Sequence, residues 1–466
     1  MKLYNSETRT KQDIPAGKTV RLYTCGPTIY DFAHIGNFRT YVFEDVLRRT
    51  LQWFGFGVNQ VMNITDIDDK TIRGAVAKNI SLKQYTEPYR IAFFEDLDAL
   101  SIQRAEHYPA ATDYIPEMIR IIERLMHNGT AYKSPNGSTY FSIRKFPKYG
   151  RLSHLKLDEL QLNASGENQA DEYDKDNLSD FVLWKAYDPA RDGDTFWESP
   201  FGKGRPGWHI ECSAMAMALL GETVDIHCGG VDNCFPHHEN EIAQSEAYTG
   251  KMFVRHWMHS EHLLVDHKKM AKSAGNFYTL RDLLKKGFSG DEVRYLLLST
   301  HYRSQMNFTF SGLDGARSAL QRVRDFVLRM REVRAEVKHD RAAPLLDRAE
   351  EQFREAMADD LNVSAALGAL FELVREMNIV ADAGHLGVQS AERALELLAS
   401  WNQIMGVLPL SQEQAPAHLL ALLSQREEAR RAKNWALSDS LRDQITAAGY
   451  VIEDTVQGAR LKKAKP

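Results

Sequence analysis

The chain has 466 residues, 26% of them charged, a formal net charge of −5 and only four cysteines. That length is too great for one core, and roughly three domains are expected. The composition excludes a disulfide scaffold, and the sign of the charge argues against a protein that binds nucleic acid over its whole surface, although ARLKKAKP closes the chain on a basic stretch. No segment is long and apolar enough to span a bilayer, and MKLYNSETRT has no apolar run behind it, so a cytoplasmic location without membrane contact is expected.

The first elements read as α/β. RLYTC, residues 21–25, predicts a short strand that runs into GPTIYDFAHIGN. A helix follows, with Val42, Phe43, Val46, Leu47 and Leu51 at helical spacing, and ends near Gly55. VNQVMNI (58–64) predicts a second strand, and TDIDDKTIRGAVAK a helix capped by Thr65 or Asp66. Strand, helix, strand, helix implies a parallel sheet wound in the right-handed sense. From about 127 to 200 the character changes: HNGTAYKSPNGSTYFSI predicts a hairpin turning at Pro135-Asn136-Gly137, and a polar, Asp-rich stretch follows. This reads as an insertion. The α/β pattern then resumes with a helix in ECSAMAMALLG, a strand in TVDIH, a turn at Gly229-Gly230 and a helix in FPHHENEIAQSEAYTG. Pro236 lies near the first turn of that helix and Gly250 past its end. From about 311 onward a purely helical part is expected. ARSALQRVRDFVLRM puts Ala316, Leu320, Val323, Val327 and Met330 on one face, and KHDRAAP and LPLSQEQAP read as linkers.

Two stretches suit phosphate. There is no Walker loop and no Gly-x-Gly-x-x-Gly after a strand. HIGN, His34 to Asn37, lies between the first strand and its helix, where free backbone N–H groups and the helix dipole favour an anion. Spacing alone leaves a simple capping turn equally open. KKMAKSAGNF (268–277) carries Lys269 and Lys272 on a glycine-containing loop able to close two ammonium groups over a polyphosphate, or to serve only as a solvated face.

DNCFPHHENEIAQSE (232–246) suits a metal. His237 and Glu241 are four apart on one helix face, and zinc accepts imidazole, carboxylate and thiolate. Cys25 and Cys212 would complete one set. Cys212, Cys228, Cys234 and either His237 or His238 form a rival set with closer spacing, and an ordinary surface pair His237–Glu241 remains a third option.

YTCGPTIYDFAHIGN, NITDIDDKTI, GRPGWHIECSAMAMALLG, DIHCGGVDNCFPHHENEIAQSEA, KMAKSAGNF and the C-terminal ARRAKNWALSDSLRDQITAAGYVIEDTVQGARLK together resemble bacterial-type cysteinyl-tRNA synthetase, a class I synthetase family, over essentially the whole chain. The resemblance implies an α/β Rossmann-like catalytic domain in two halves (1–126 and 201–250) around a connective insertion (127–200). It further implies a stem-contact region with the KMAKS loop (251–310), a helical bundle (311–405) and a small anticodon-binding domain (406–466). It implies activation of L-cysteine by ATP with Mg2+, then transfer to tRNA(Cys), by a monomer. His34, Asn37, Lys269 and Lys272 match the family's catalytic motifs. Thr28, His34, Gly36, Asn37 and Lys272 match its ATP site. Thr65, Trp208 and Asp232 match its cysteine pocket. Cys25, Cys212, His237 and Glu241 match the ligands of one zinc per chain. The sequence departs from the family at Ala271, where serine is usual, at Asn37 in place of histidine, and at Cys228 and Cys234. Two further readings share parts of this signature: a cysteine ligase acting on an amino-sugar, which would lack the terminal tRNA-binding part, and a non-catalytic zinc-stabilised nucleic-acid-binding protein.

Overall fold

The computed structural model describes all residues except 15–17, 156–166, 169–178, 411–415, 456–457 and 464–466. In chain order, β1 (Lys2–Asn5) and β2 (Thr10–Asp13) form a hairpin, and β3 (Thr19–Thr24) leads to α1 (Ile35–Trp53), β4 (Gly57–Met62), α2 (Asp69–Lys78), α3 (Leu82–Ala99) and α4 (Ile115–His127). The insertion holds β5 (Ala131–Lys133), β6 (Thr139–Phe141), β7 (Glu167–Asn168), β8 (Asp180–Ala186), α5 (Pro189–Asp192) and β9 (Gly204–Pro206). Then come α6 (Trp208–Leu220), β10 (Val224–Gly230), α7 (His237–Thr249) and β11 (Val254–Ser260), followed by β12 (Leu263–Val265), β13 (Lys268–Lys269), α8 (Leu280–Lys285), α9 (Gly290–Ser299) and β14 (Met306–Phe308). The rest is α10 (Phe310–Glu332), α11 (Ala343–Ala358), α12 (Val363–Asp382), α13 (Val388–Met405), α14 (Ala417–Arg431), α15 (Trp435–Ala447), β15 (Tyr450–Thr455) and β16 (Gly458–Lys463).

The central sheet has the order β11-β10-β3-β4, and every pairing is parallel. Strand alternation separates two cores. Val20 and Leu22 face α1 and the helical tail, while Tyr23 and Val61 face α4 and α6. The chain leaves β3 in one direction along the sheet and β10 in the other, so the crevice at their carboxyl ends is a topological switch point, the place where such sheets bind ligands.

The structure corrects four details of the sequence reading. The cap of α2 is Asp68, not Thr65 or Asp66; its side chain accepts from Lys70 N and Thr71 N, while Asp66 accepts from Thr112. Gly229 and Gly230 are not a turn but the end of β10, paired with His259 and Ser260. The sheet of the insertion reaches Pro206, past its expected end at 200. The terminal part is not wholly helical, because β15 and β16 form an antiparallel hairpin. The Asp-rich part of the insertion and most of the LPLSQEQAP linker lie outside the described residues.

Candidate active site and metal centre

The site grows out of the ends of β3 and β10. Cys25 follows β3 directly, and its N–H donates to Cys228 O at 3.1 Å, which continues the strand pairing. The next residue must be glycine: a Cβ on Gly26 would stand 1.8 Å from the carbonyl oxygen of Asn63. This close approach lets 27–29 run beside 63–65, with Thr65 N donating to Pro27 O at 3.0 Å and Thr28 paired with Thr65. Thr65 is buried; its hydroxyl accepts from Asn63 Nδ2 and donates to Glu211 Oε2, each at 3.2 Å.

His34 caps α1. Its Nδ1 accepts from Asn37 N at 3.2 Å, and Asn37 Oδ1 accepts from His34 N at 3.1 Å. The capping reading and the anion reading therefore coexist: the box leaves the Nε2–H side of His34 and the helix N-terminus for a ligand. Burial, opposed by Asp232 and reinforced by Lys272, lowers the His34 pKa, so the ring is neutral near pH 7. The lysine loop closes over this cap. Ile35 N donates to Tyr278 O at 3.0 Å, Phe277 meets the His34 ring edge-on at 5.2 Å, and a Cβ on Gly36 would stand 3.1 Å from Met270 Cε. Lys272 is exposed, pairs with Asp31, and lies 5.1 Å from the Phe277 ring centre; Lys269 is also exposed. Asp232 is exposed in the turn after β10, close enough to His34 to act on its charge.

Beneath lies a buried cluster. One ligand atom each from Cys25, Cys212, His237 and Glu241 gathers so that all four lie within 4.8 Å of one another. Cys212 comes from α6, and His237 and Glu241 from the first turns of α7. Trp208, half-buried at the start of α6, stacks on His237 with ring centres 4.1 Å apart. His237 Nδ1 is 3.0 Å from His209 Nδ1, which fixes the ring and leaves Nε2 facing Glu241 Oε1 at 3.2 Å. That oxygen is buried and has no hydrogen-bond partner among the described residues, so the two atoms approach as two ligands of one ion do. A hydrogen bond with Cys212 and burial push the Cys25 thiol well above the usual range, and burial takes His237 down to about 3. Two thiols, an imidazole and a carboxylate fit zinc, which would displace the thiol protons and hold both sulfurs as thiolates.

The rival ligand set is not gathered. Strand alternation turns Cys228 to the opposite face of the sheet, into the core with α1, whereas Cys25 and Cys212 share the other core. Cys234 Sγ lies 4.0 Å from Leu152 O. His238 does approach, its Nε2 3.2 Å from Cys25 Sγ. Sequence reasoning missed His209, His227 and His259, which line this pocket. The available signal for His227 was its place in the strand TVDIH, where it follows Val224 and Ile226. A cleft of about 1010 Å³ between α2, α3 and residues 192–197 adjoins the site through Ile29 and Ile64.

The fold is shared with two solved structures. One is the methionyl-tRNA synthetase of Mycobacterium tuberculosis with methionyl-adenylate (TM-score 0.62, 13% identity, 84% of this chain and 92% of that one). The other is LeuRS of Agrobacterium radiobacter (TM-score 0.61, 13% identity, 86% of each chain). The match of residues 12–318 to a class I synthetase catalytic domain makes the chain a class I aminoacyl-tRNA synthetase. Residues 12–318 match the family described as the class I (C) tRNA synthetase catalytic domain, 352–409 a DALR domain, and 413–460 the cysteinyl-tRNA ligase anticodon binding domain. Cysteine--tRNA ligase of Protochlamydia amoebophila is 58% identical over 99% of this chain and 98% of its own length. That of Chlamydia muridarum is 55% identical over 99% of each. The chain belongs to the cysteinyl-tRNA synthetase family. The match to the terminal domain leaves the amino-sugar ligase without support, and the match to the catalytic domain with the ligase relatives leaves the non-catalytic reading without support. Among the described residues no helix is long and apolar enough to cross a membrane.

Proposed function

We propose that the protein activates L-cysteine with ATP and Mg2+ to cysteinyl-adenylate and pyrophosphate. It then passes the cysteinyl group to the terminal ribose of tRNA(Cys), choosing its amino acid by a zinc held by Cys25, Cys212, His237 and Glu241. The observation that carries this reading is the convergence of those four buried ligand atoms at the foot of the crevice that His34 and Asn37 cap. Bound there, zinc supplies a Lewis-acid centre that takes a thiolate far more readily than a hydroxyl. An apolar pocket separates such close analogues by only about 10- to 200-fold, whereas translation needs on the order of 10⁴, so the metal removes the need for editing.

The chain's own groups do the rest. Trp208, stacked on His237, walls the side-chain pocket, and Thr65 is held by Glu211 where the substrate backbone would pass. Asp232, exposed at the mouth, supplies the carboxylate for the substrate ammonium. Thr28, Gly36 and the α1 terminus receive ATP, with neutral His34 donating through Nε2 and Asn37 holding it in place. Lys269 and Lys272 bring positive charge to the phosphates as the pyrophosphate leaves. Substituting Ala271 for the usual serine removes a hydroxyl but keeps both lysines. The insertion and the helical tail receive the acceptor end and the anticodon arm; a net charge of −5 allows this, because the positive surface need only be local.

The test is pyrophosphate–ATP exchange with a panel of amino acids. Cysteine should drive exchange at least ~10⁴-fold better than serine in kcat/KM. Comparable exchange with serine would sink the selection argument.

A further inference from the structure

We propose that the same pocket contains a second seat for a divalent cation, made by Cys25, His227, His238 and Glu241 and sharing Cys25 and Glu241 with the first. The inference rests on the assignment of the first seat to zinc. Ligand atoms of this second set also lie within 4.8 Å of one another, and all four residues are buried.

Two features favour it. Glu241 presents one oxygen to each side: Oε1 faces His237 Nε2 at 3.2 Å, and Oε2 faces His227 Nε2 at 3.0 Å. A carboxylate set this way bridges two ions. Second, one histidine on each side is oriented as ligating histidines are. His237 is fixed through Nδ1 by His209, and His238 is fixed through Nδ1 by His259 Nε2 at 2.8 Å, whose own Nδ1 meets Ser6 Oγ at 2.8 Å. Their Nε2 atoms point at the shared residues, His238 at Cys25 Sγ from 3.2 Å. The competing account gives His227 and His238 plain hydrogen bonds to Glu241 and Cys25. It allows one ion at saturation; the proposed site allows two.

Equilibrium dialysis of the full-length zinc-depleted protein against cadmium, read with cadmium NMR, separates them. Wild type should take up a second, weaker equivalent with its own resonance. The double variant His227→Gln/His238→Gln should stop at one, and Cys212→Ser should lose the first resonance and keep binding in the His227–His238 seat. A wild-type chain that saturates at one equivalent overturns the proposal, whether or not the variants fold. So does a second equivalent that survives in the double variant, since it then binds elsewhere. Loss of the first equivalent in the double variant, with its retention in Cys212→Ser, would instead overturn the assignment of the first seat.

Discussion

Lys272 stands on the solvent side of the site, with 61% of its side chain exposed and its ammonium on Asp31, 5.1 Å from the centre of the Phe277 ring. An exposed pair of this kind contributes little to stability, so releasing it to meet a phosphate is cheap. Lys272→Ala should slow single-turnover adenylate formation by ~10²-fold or more while cysteine binding changes little; an unchanged single-turnover rate would refute the role. At this scale the sequence was legible only in part. His237 and Glu241 share a helix face, which spacing reveals, but Cys25 and Cys212 belong to elements far apart in the chain, and spacing left the rival cysteines equally open. Family resemblance pointed to Cys25 and Cys212. The physical reason is one of parity: Cys228 is one residue beyond His227, so it faces the other core. The rest of the network around Glu241 could not be foreseen, because His227, His209 and His259 come from β10, α6 and β11.

The elements were legible where periodicity was strong. Helix α1 buries Val42, Phe43, Val46, Leu47 and Leu51 as their spacing predicts, and α10 buries Ala316, Leu320, Val323, Val327 and Met330. Boundaries set by tertiary contacts were not. Thr65 reads as a cap but is drawn into pairing with Thr28, and Gly229-Gly230 reads as a turn but is held flat by β11. Between elements, α3 is tied to α8, just beyond the lysine loop, by Asp96 and Arg281, with Oδ1 3.3 Å from Nε. Burial pushes Asp96 up to about 6, a shift that Arg281 only partly offsets. With its folded pKa raised, the carboxyl stabilises fully only below its unfolded value near 4 and loses that contribution as pH rises through about 6. Asp96→Asn should therefore gain stability relative to wild type between pH 4.5 and 7.5, by on the order of 2 kcal/mol. Parallel urea midpoints at the two pH values would contradict it.

Over the whole molecule, α1, the helix that His34 caps, is also the one bolted to the tail. Arg294 of α9, fully buried, reaches Asp45 of α1 at 2.5 Å, Leu100 O at 3.2 Å and Met405 O, at the end of α13, at 2.8 Å. Arg49 of α1 donates to Gln403 O at 3.1 Å, and Trp53 to Ser400 Oγ at 2.9 Å. Catalytic domain and bundle thus share one core. Arg294→Met leaves buried carbonyls unpaired and weakens the hold on Asp45, which keeps Arg49 at 2.7 Å. It should cost on the order of 3 kcal/mol in urea unfolding, and an unchanged midpoint would show that the bolt contributes nothing. The hairpin β15–β16 was not legible, because VIEDTV and ARLKK are too polar to show a buried face.

Zinc-edge X-ray absorption of the full-length protein, with and without cysteine, tests the central claim most directly. The account predicts two sulfur ligands, Cys25 and Cys212, in the free protein, and one more when cysteine is added but none with serine. A sulfur count that stays the same on adding cysteine would contradict it.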